Sequence, residues 1–78
     1  MPRYFIDLHD GTAVLRDREG YEVPNLDAAR AQAVRIMTRV TQGLADLPGR
    51  QDYVAAVRDA DGAVRWRLRV SLDDSPID

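Results

Sequence analysis

The chain has no cysteine and no lysine. Without cysteine, disulfides and thiolate metal sites are excluded. Without lysine, all 11 basic residues are arginine. Together with the abundance of alanine and aspartate, this reads as a GC-rich bacterial genome. The functional alternative is selection for arginine's planar fork at phosphates or carboxylates. No stretch approaches the ~20 apolar residues of a membrane span. Tyr4-Phe5-Ile6-Asp7-Leu8 falls well short of the ~7–15 apolar residues of a signal peptide. The expectation is a cytoplasmic protein without a membrane partner. The formal net charge of −2 gives no general reason to bind nucleic acid or an anionic surface.

A chain of 78 residues makes one domain. Its core must be thin, because many of its apolar residues are alanines. Domains of this size keep little net stability and often add disulfides, metals or oligomerisation. With disulfides excluded, oligomerisation is the remaining supplement, and a homodimer is expected.

What is present centres on Val64-Arg65-Trp66-Arg67-Leu68-Arg69-Val70. Strand side chains alternate between faces. Val64, Trp66, Leu68 and Val70 therefore read as one apolar face, and Arg65, Arg67 and Arg69 as the other. A strand over Asp52–Arg58 precedes it across the turn Asp59-Ala60-Asp61-Gly62. With Asp61 and Gly62 as the loop, Val57 faces Trp66, Ala55 faces Leu68 and Tyr53 faces Val70. Small residues opposite bulky ones suit interdigitated packing. Trp66 is expected to be buried.

Upstream, Arg3–Leu8 reads as a strand, Asp10-Gly11 as a hairpin turn, and Thr12–Arg16 as the return strand. A two-residue loop sets Leu8 against Ala13 and Ile6 against Leu15, with Phe5 on the opposite face. Tyr21-Glu22-Val23 is extended, either as a third strand or as a bridge to the helix. Pro24 keeps Val23 out of helical angles, and Asn25 is a good N-cap. From Leu26 the period is helical. Leu26, Ala29, Ala33, Ile36, Met37, Val40 and Leu44 form one stripe of about 100°, over about 18 residues or ~27 Å. Gly43 weakens the last turn and Pro48-Gly49 ends the helix. The fold class is α+β: a single two-layer domain over residues 1–72, with an antiparallel sheet of about four strands and one helix on one face (β-β-α-β-β). Residues 73–78 read as a flexible acidic tail.

The opening Met-Pro-Arg-Tyr-Phe-Ile-Asp-Leu-His-Asp-Gly resembles a family of short proteobacterial proteins classed as domain of unknown function 6894. So do Asp17-x-Glu19-Gly20-x-Glu22-Val23-Pro24-Asn25-Leu26, the helix start Ala28-Ala29-Arg30-Ala31-x-Ala33, and Val57-Arg58-Asp59-x-Asp61-Gly62. The resemblance covers nearly the whole chain and implies no activity, cofactor or catalytic residue. A weaker resemblance, through Val23-Pro24-Asn25-Leu26 and the alanine-rich helix, is to antitoxins of the HicB type. It implies a small toxin as partner.

The candidate binding face is the outer face of the sheet: Arg58, Arg65, Arg67 and Arg69, with Phe5 and Val54 as its apolar members. One reading is an anion platform for nucleic acid or an acidic protein, with salt-dependent affinity. The other is a solvated sheet face whose charges blunt edge pairing. Arginine is also enriched at protein interfaces, so a dimer or an unidentified protein partner fits the same face. Asp7, His9 and Asp10 make a poor metal site, because alternation parts them and a fourth ligand is missing. Asp59 and Asp61 lack the spacing of a calcium loop and read as turn residues. There is no cysteine nucleophile, no histidine near Ser71 or Ser75, and no glycine-rich phosphate loop. The expectation is an interaction module that needs no cofactor, not an enzyme.

Overall fold

The computed structural model describes residues 1–46 and 49–77. Along the chain run β1 (Arg3–His9), β2 (Val14–Leu15), β3 (Tyr21–Glu22), α1 (Leu26–Gln42), a 3₁₀ turn over Gly43–Asp46, β4 (Gly49–Arg58) and β5 (Val64–Asp74). The sheet order is β2-β1-β4-β5, with β3 also on β1, and every pairing is antiparallel. The fold is therefore the expected α+β arrangement, and Tyr21-Glu22 is a strand of its own. Among the described residues, no helix is long and apolar enough to cross a membrane.

The first hairpin keeps its faces but not its register. Leu8 faces Leu15 and His9 faces Val14, so the loop is four residues, Asp10–Ala13. The reason is Asp10. Its Oδ1 accepts from Thr12 N at 3.0 Å, Thr12 Oγ1 at 3.1 Å and Ala13 N at 2.7 Å. Such an Asx turn competes with the tight two-residue loop. The return strand is correspondingly short. Arg16 leaves the sheet, and the chain rejoins β1 only at Tyr21, which faces Tyr4. Between these two pieces the Asp17 side chain replaces a strand, its Oδ2 accepting from Ile6 N at 3.0 Å. Gly20 closes the excursion at φ 76°. A Cβ there would lie 3.0 Å from the Phe5 ring and 2.9 Å from Arg3 Cγ, so only glycine fits.

The second hairpin has the expected register: Tyr53 opposite Val70, Ala55 opposite Leu68, Val57 opposite Trp66. Near the turn the ladder slips between Val57 and Arg58, so that Val64 rather than Arg65 faces Arg58. This bulge inserts one residue and turns Val64 to the arginine face. That corrects the expected alignment of Val64 with Trp66. Asp59 drives the slip: its Oδ1 accepts from Asp61 N and Ala63 N, each at 3.0 Å. At the other end β4 starts at Gly49, and β5 runs on to Asp74, two residues into the segment read as a tail.

Asn25 caps α1 as expected, its side chain accepting from Ala28 N at 2.9 Å. The apolar stripe faces the sheet. Ala29, Ala33, Met37 and Leu44 are buried, and Leu26, Ile36 and Val40 are partly so. Pro48, expected to end the helix, lies outside the described residues. The core joins Ala29, Ala33 and Met37 to Ile6 of β1 and to Ala55 and Val57 of β4. Alanine against alanine brings the helix close over β4, with β1 and β5 on either side. No residue of β5 is buried. Trp66 is 42% exposed, which overturns the expectation of a buried tryptophan: the alternation names its face, but the helix does not reach over it.

Met37→Ala, at a site 1% exposed, is expected to cost about 2–5 kcal/mol. Trp66→Ala is expected to cost about 1–2 kcal/mol, well under the ~3–5 of a fully buried tryptophan. Urea denaturation at low protein concentration measures both. Equal costs would mean that the helix covers β5 after all.

Candidate functional site

The outer face of the sheet is built by alternation on three strands. β1 contributes Phe5, Asp7 and His9, β4 contributes Val54, Ala56 and Arg58, and β5 contributes Arg67 and Arg69. The register brings Phe5 opposite Arg58, Asp7 opposite Ala56, and Val54 opposite Arg69. Sheet twist and the small Ala56 leave an open concavity of about 610 Å³, with Ala56 and Val54 in its lining and Arg16, Arg58, Arg67 and Arg69 around them. Four of the six residues singled out from the sequence therefore meet at one place: Arg58, Arg67, Arg69 and Val54. The other two do not line the concavity. Phe5 is half-buried, and Arg65 is drawn by the bulge toward Asp59 Oδ2 at 3.4 Å.

At one end of the concavity lies a buried ion pair. Arg58 Nε donates to Asp7 Oδ2 at 2.6 Å, and its terminal nitrogen donates to Asp7 Oδ1 and to the Asp17 carbonyl, each at 3.1 Å. Asp17 N donates to Asp7 Oδ1 at 2.9 Å. The guanidinium carbon stands 5.0 Å from the centre of the Phe5 ring, within cation–π range. Asp7 is only 6% exposed. Burial pushes its carboxyl pKa up. The Arg58 hydrogen bond, the Asp17 N–H and the charges of Arg58 and Arg16 outweigh that and hold the pKa below the usual aspartate value. Asp7 is thus a fixed anion, and Arg58 is spent on it.

Two sequence readings change accordingly. Arg58 is not a free cation on a binding platform, and Phe5 is not a bare contact patch, because Arg58 covers it. Asp7 was missed as the keystone of this face; alternation set it on the same face as Arg58, but only the β1–β4 register brings the two together. Arg16 and His9 also border the concavity. Among the described residues no ion pair engages Arg16, Arg67 or Arg69, and no group of three histidine or acidic side chains is placed to hold a metal.

The family can now be stated. The model of domain of unknown function 6894 matches residues 3–71. The chain belongs to that family. No curated protein and no solved structure matches it. The match begins at the first residue of β1 and ends within β5, and both Asp7 and Arg58 lie inside the matched span.

Asp7→Asn leaves Arg58 buried without its counter-charge and is expected to cost about 3–5 kcal/mol. Replacing both partners by apolar residues, Asp7→Val with Arg58→Met, is expected to recover most of that loss. The pH dependence has a definite sign. A carboxyl whose pKa is lowered by folding stabilises the fold above its unfolded pKa of ~3.9, and the contribution is lost as pH falls through the folded value. The stability gap between wild type and Asp7→Asn is therefore constant near neutrality and closes below about pH 4. Chemical denaturation across pH reads both effects, and a gap independent of pH would show that the carboxylate charge is not what matters.

Proposed function

We propose that this chain is a small protein-interaction module of the bacterial cytoplasm, not an enzyme, and that its first partner is a second copy of itself. One observation carries the reading. β5 is an 11-residue edge strand whose helix-side row is only partly covered: Trp66 is 42% exposed, and Leu68 and Val70 are half-buried against the core. Beside them Val34 of the helix is 37% exposed. A long unpaired edge beside apolar side chains is a template for another strand. The opposite edge carries only two two-residue strands.

The non-enzymatic half of the proposal draws on the Asp7 site. Catalytic acids and bases are poised to exchange a proton near working pH. The one buried charged group of this face is held ionised and fully hydrogen-bonded instead. Among the described residues every buried side-chain nitrogen and oxygen has a partner, as expected of a structural network.

A second reading has its own observation. Among the described residues Arg16, Arg67 and Arg69 surround the concavity without ion-pair partners, which suits an anion or a nucleic-acid phosphate. Under this reading Arg16→Gln, Arg67→Gln and Arg69→Gln together abolish the retention of a single-stranded oligonucleotide at low salt. If wild type is not retained, this reading falls.

For the preferred reading, sedimentation equilibrium at micromolar concentration is expected to give an apparent mass rising toward twice the 8.8 kDa of the monomer. Because Trp66 is the only tryptophan, its fluorescence should shift to the blue over the same range. A constant monomer mass with unshifted emission would end the proposal.

A further inference from the structure

The charges of β5 are arranged unevenly along the strand. Arg65, Arg67 and Arg69 occupy its first half, and Asp73 and Asp74 its end. A two-fold axis perpendicular to a sheet sets each edge strand against its own copy in reverse, so the basic half of one meets the acidic end of the other. We infer that two copies pair β5 edge to edge, antiparallel, centred on Val70, with Arg67 facing the partner's Asp73. This rests on the self-association proposed above and names its interface.

The charges select that register. In an antiparallel pair, residues directly opposite each other share a face. Centring on Arg67 sets Arg67 against the partner's Arg67, and centring on Arg69 sets Arg69 against the partner's Arg69. Centring on Leu68 sets Arg67 against the partner's Arg69 twice. Like charges directly opposite are destabilising. Centring on Val70 removes every such clash and, of the registers that do so, pairs the longest stretch of β5, residues 66–74. Arg67 then faces the partner's Asp73, and Arg69 faces the partner's Ser71. On the helix side, Leu68 faces the partner's Leu72, Val70 faces the partner's Val70, and Trp66 faces the partner's Asp74 with the partner's Leu72 on its diagonal.

The neighbouring strand extends the match. Asp73 faces Arg50 of β4 within the monomer, and Arg50 feels its charge. The outer face of the seam would therefore read Arg50, Asp73 and the partner's Arg67, plus, minus, plus. One step along, Ser71 donates to Asp52 at 2.6 Å, so the partner's Arg69 would approach a serine backed by a carboxylate.

The test is charge exchange. Arg67→Asp and Asp73→Arg are each expected to weaken self-association about tenfold or more and to sediment as monomers where wild type is dimeric. Mixed in equal amounts, the two variants should regain the dimer mass, because each supplies the charge the other lacks. The double variant Arg67→Asp/Asp73→Arg should dimerise alone. Far-UV circular dichroism confirms that each variant is folded, and the mixture and the double variant keep the test decisive if one single variant is poorly folded. If wild type is dimeric and the exchanges leave its Kd unchanged, this edge pairing is overturned while self-association stands. If wild type is monomeric throughout, both fall.

Discussion

The Asp7–Arg58 pair is the constraint on which the rest of this fold depends. It joins the middle of β1 to the end of β4, the two strands that bring the hairpins together. Through Arg58 to the Asp17 carbonyl and Asp17 N to Asp7, it also fastens the excursion between β2 and β3. Taking two charges out of water is expensive and is repaid only when the remaining polar atoms are satisfied. Here each Asp7 oxygen accepts from Arg58, Oδ1 accepts from Asp17 N as well, and Arg58 rests on Phe5. The network makes the junction specific: sliding β1 by one residue along β4 would strand both charges on opposite faces.

The second determinant is the size of the residues under the helix. Ala29 and Ala33 share the core with Ala55 and Val57, which lets α1 sit close over β4, with β1 and β5 on either side. A close, narrow contact is efficient in the middle and leaves the flank thin. Met37 and Val57 are the largest fully buried side chains, each contributing about 1.5–3 kcal/mol. The bulky apolar residues of β5 stand beside this core and only partly enter it. The same choice of small residues that seats the helix therefore exposes Trp66.

Much of this was legible in the sequence, and the exceptions share a cause. Period-two and helical patterns named the faces of the long elements, Val64 excepted, and the second hairpin has the expected pairs away from its turn, where a bulge offsets a loop longer than Asp61-Gly62. The N-cap at Asn25 marked the helix start. Three features were hidden because they depend on contacts that a periodicity does not encode. Trp66 is on the named face, but alternation cannot say how wide the covering layer is. Val64 changes face because Asp59 draws two backbone N–H groups into its turn and forces a bulge. Arg58 reads as one more cation in a row, since its partner lies 51 residues away, on a strand whose neighbour the sequence did not specify.

The two edges of the sheet differ in a way that bears on assembly. On one side β2 and β3 are two residues each, and Asp17 fills the space between them by taking the Ile6 N–H. Few backbone groups are left there in a continuous row, so this edge is a poor template for a further strand. On the other side β5 runs for 11 residues, with its one bulge near the start, before Trp66. A sheet with one usable edge can join only one other sheet. The pairing of β5 with its own copy proposed above would consume both usable edges and leave only the broken ones outside. The product is closed, whereas a chain with two long edges would grow into a fibre. The arginines of β5 serve the same end. On an isolated edge they oppose the registers that set like charge against like, and of the registers free of such clashes the one centred on Val70 pairs the longest stretch of the strand.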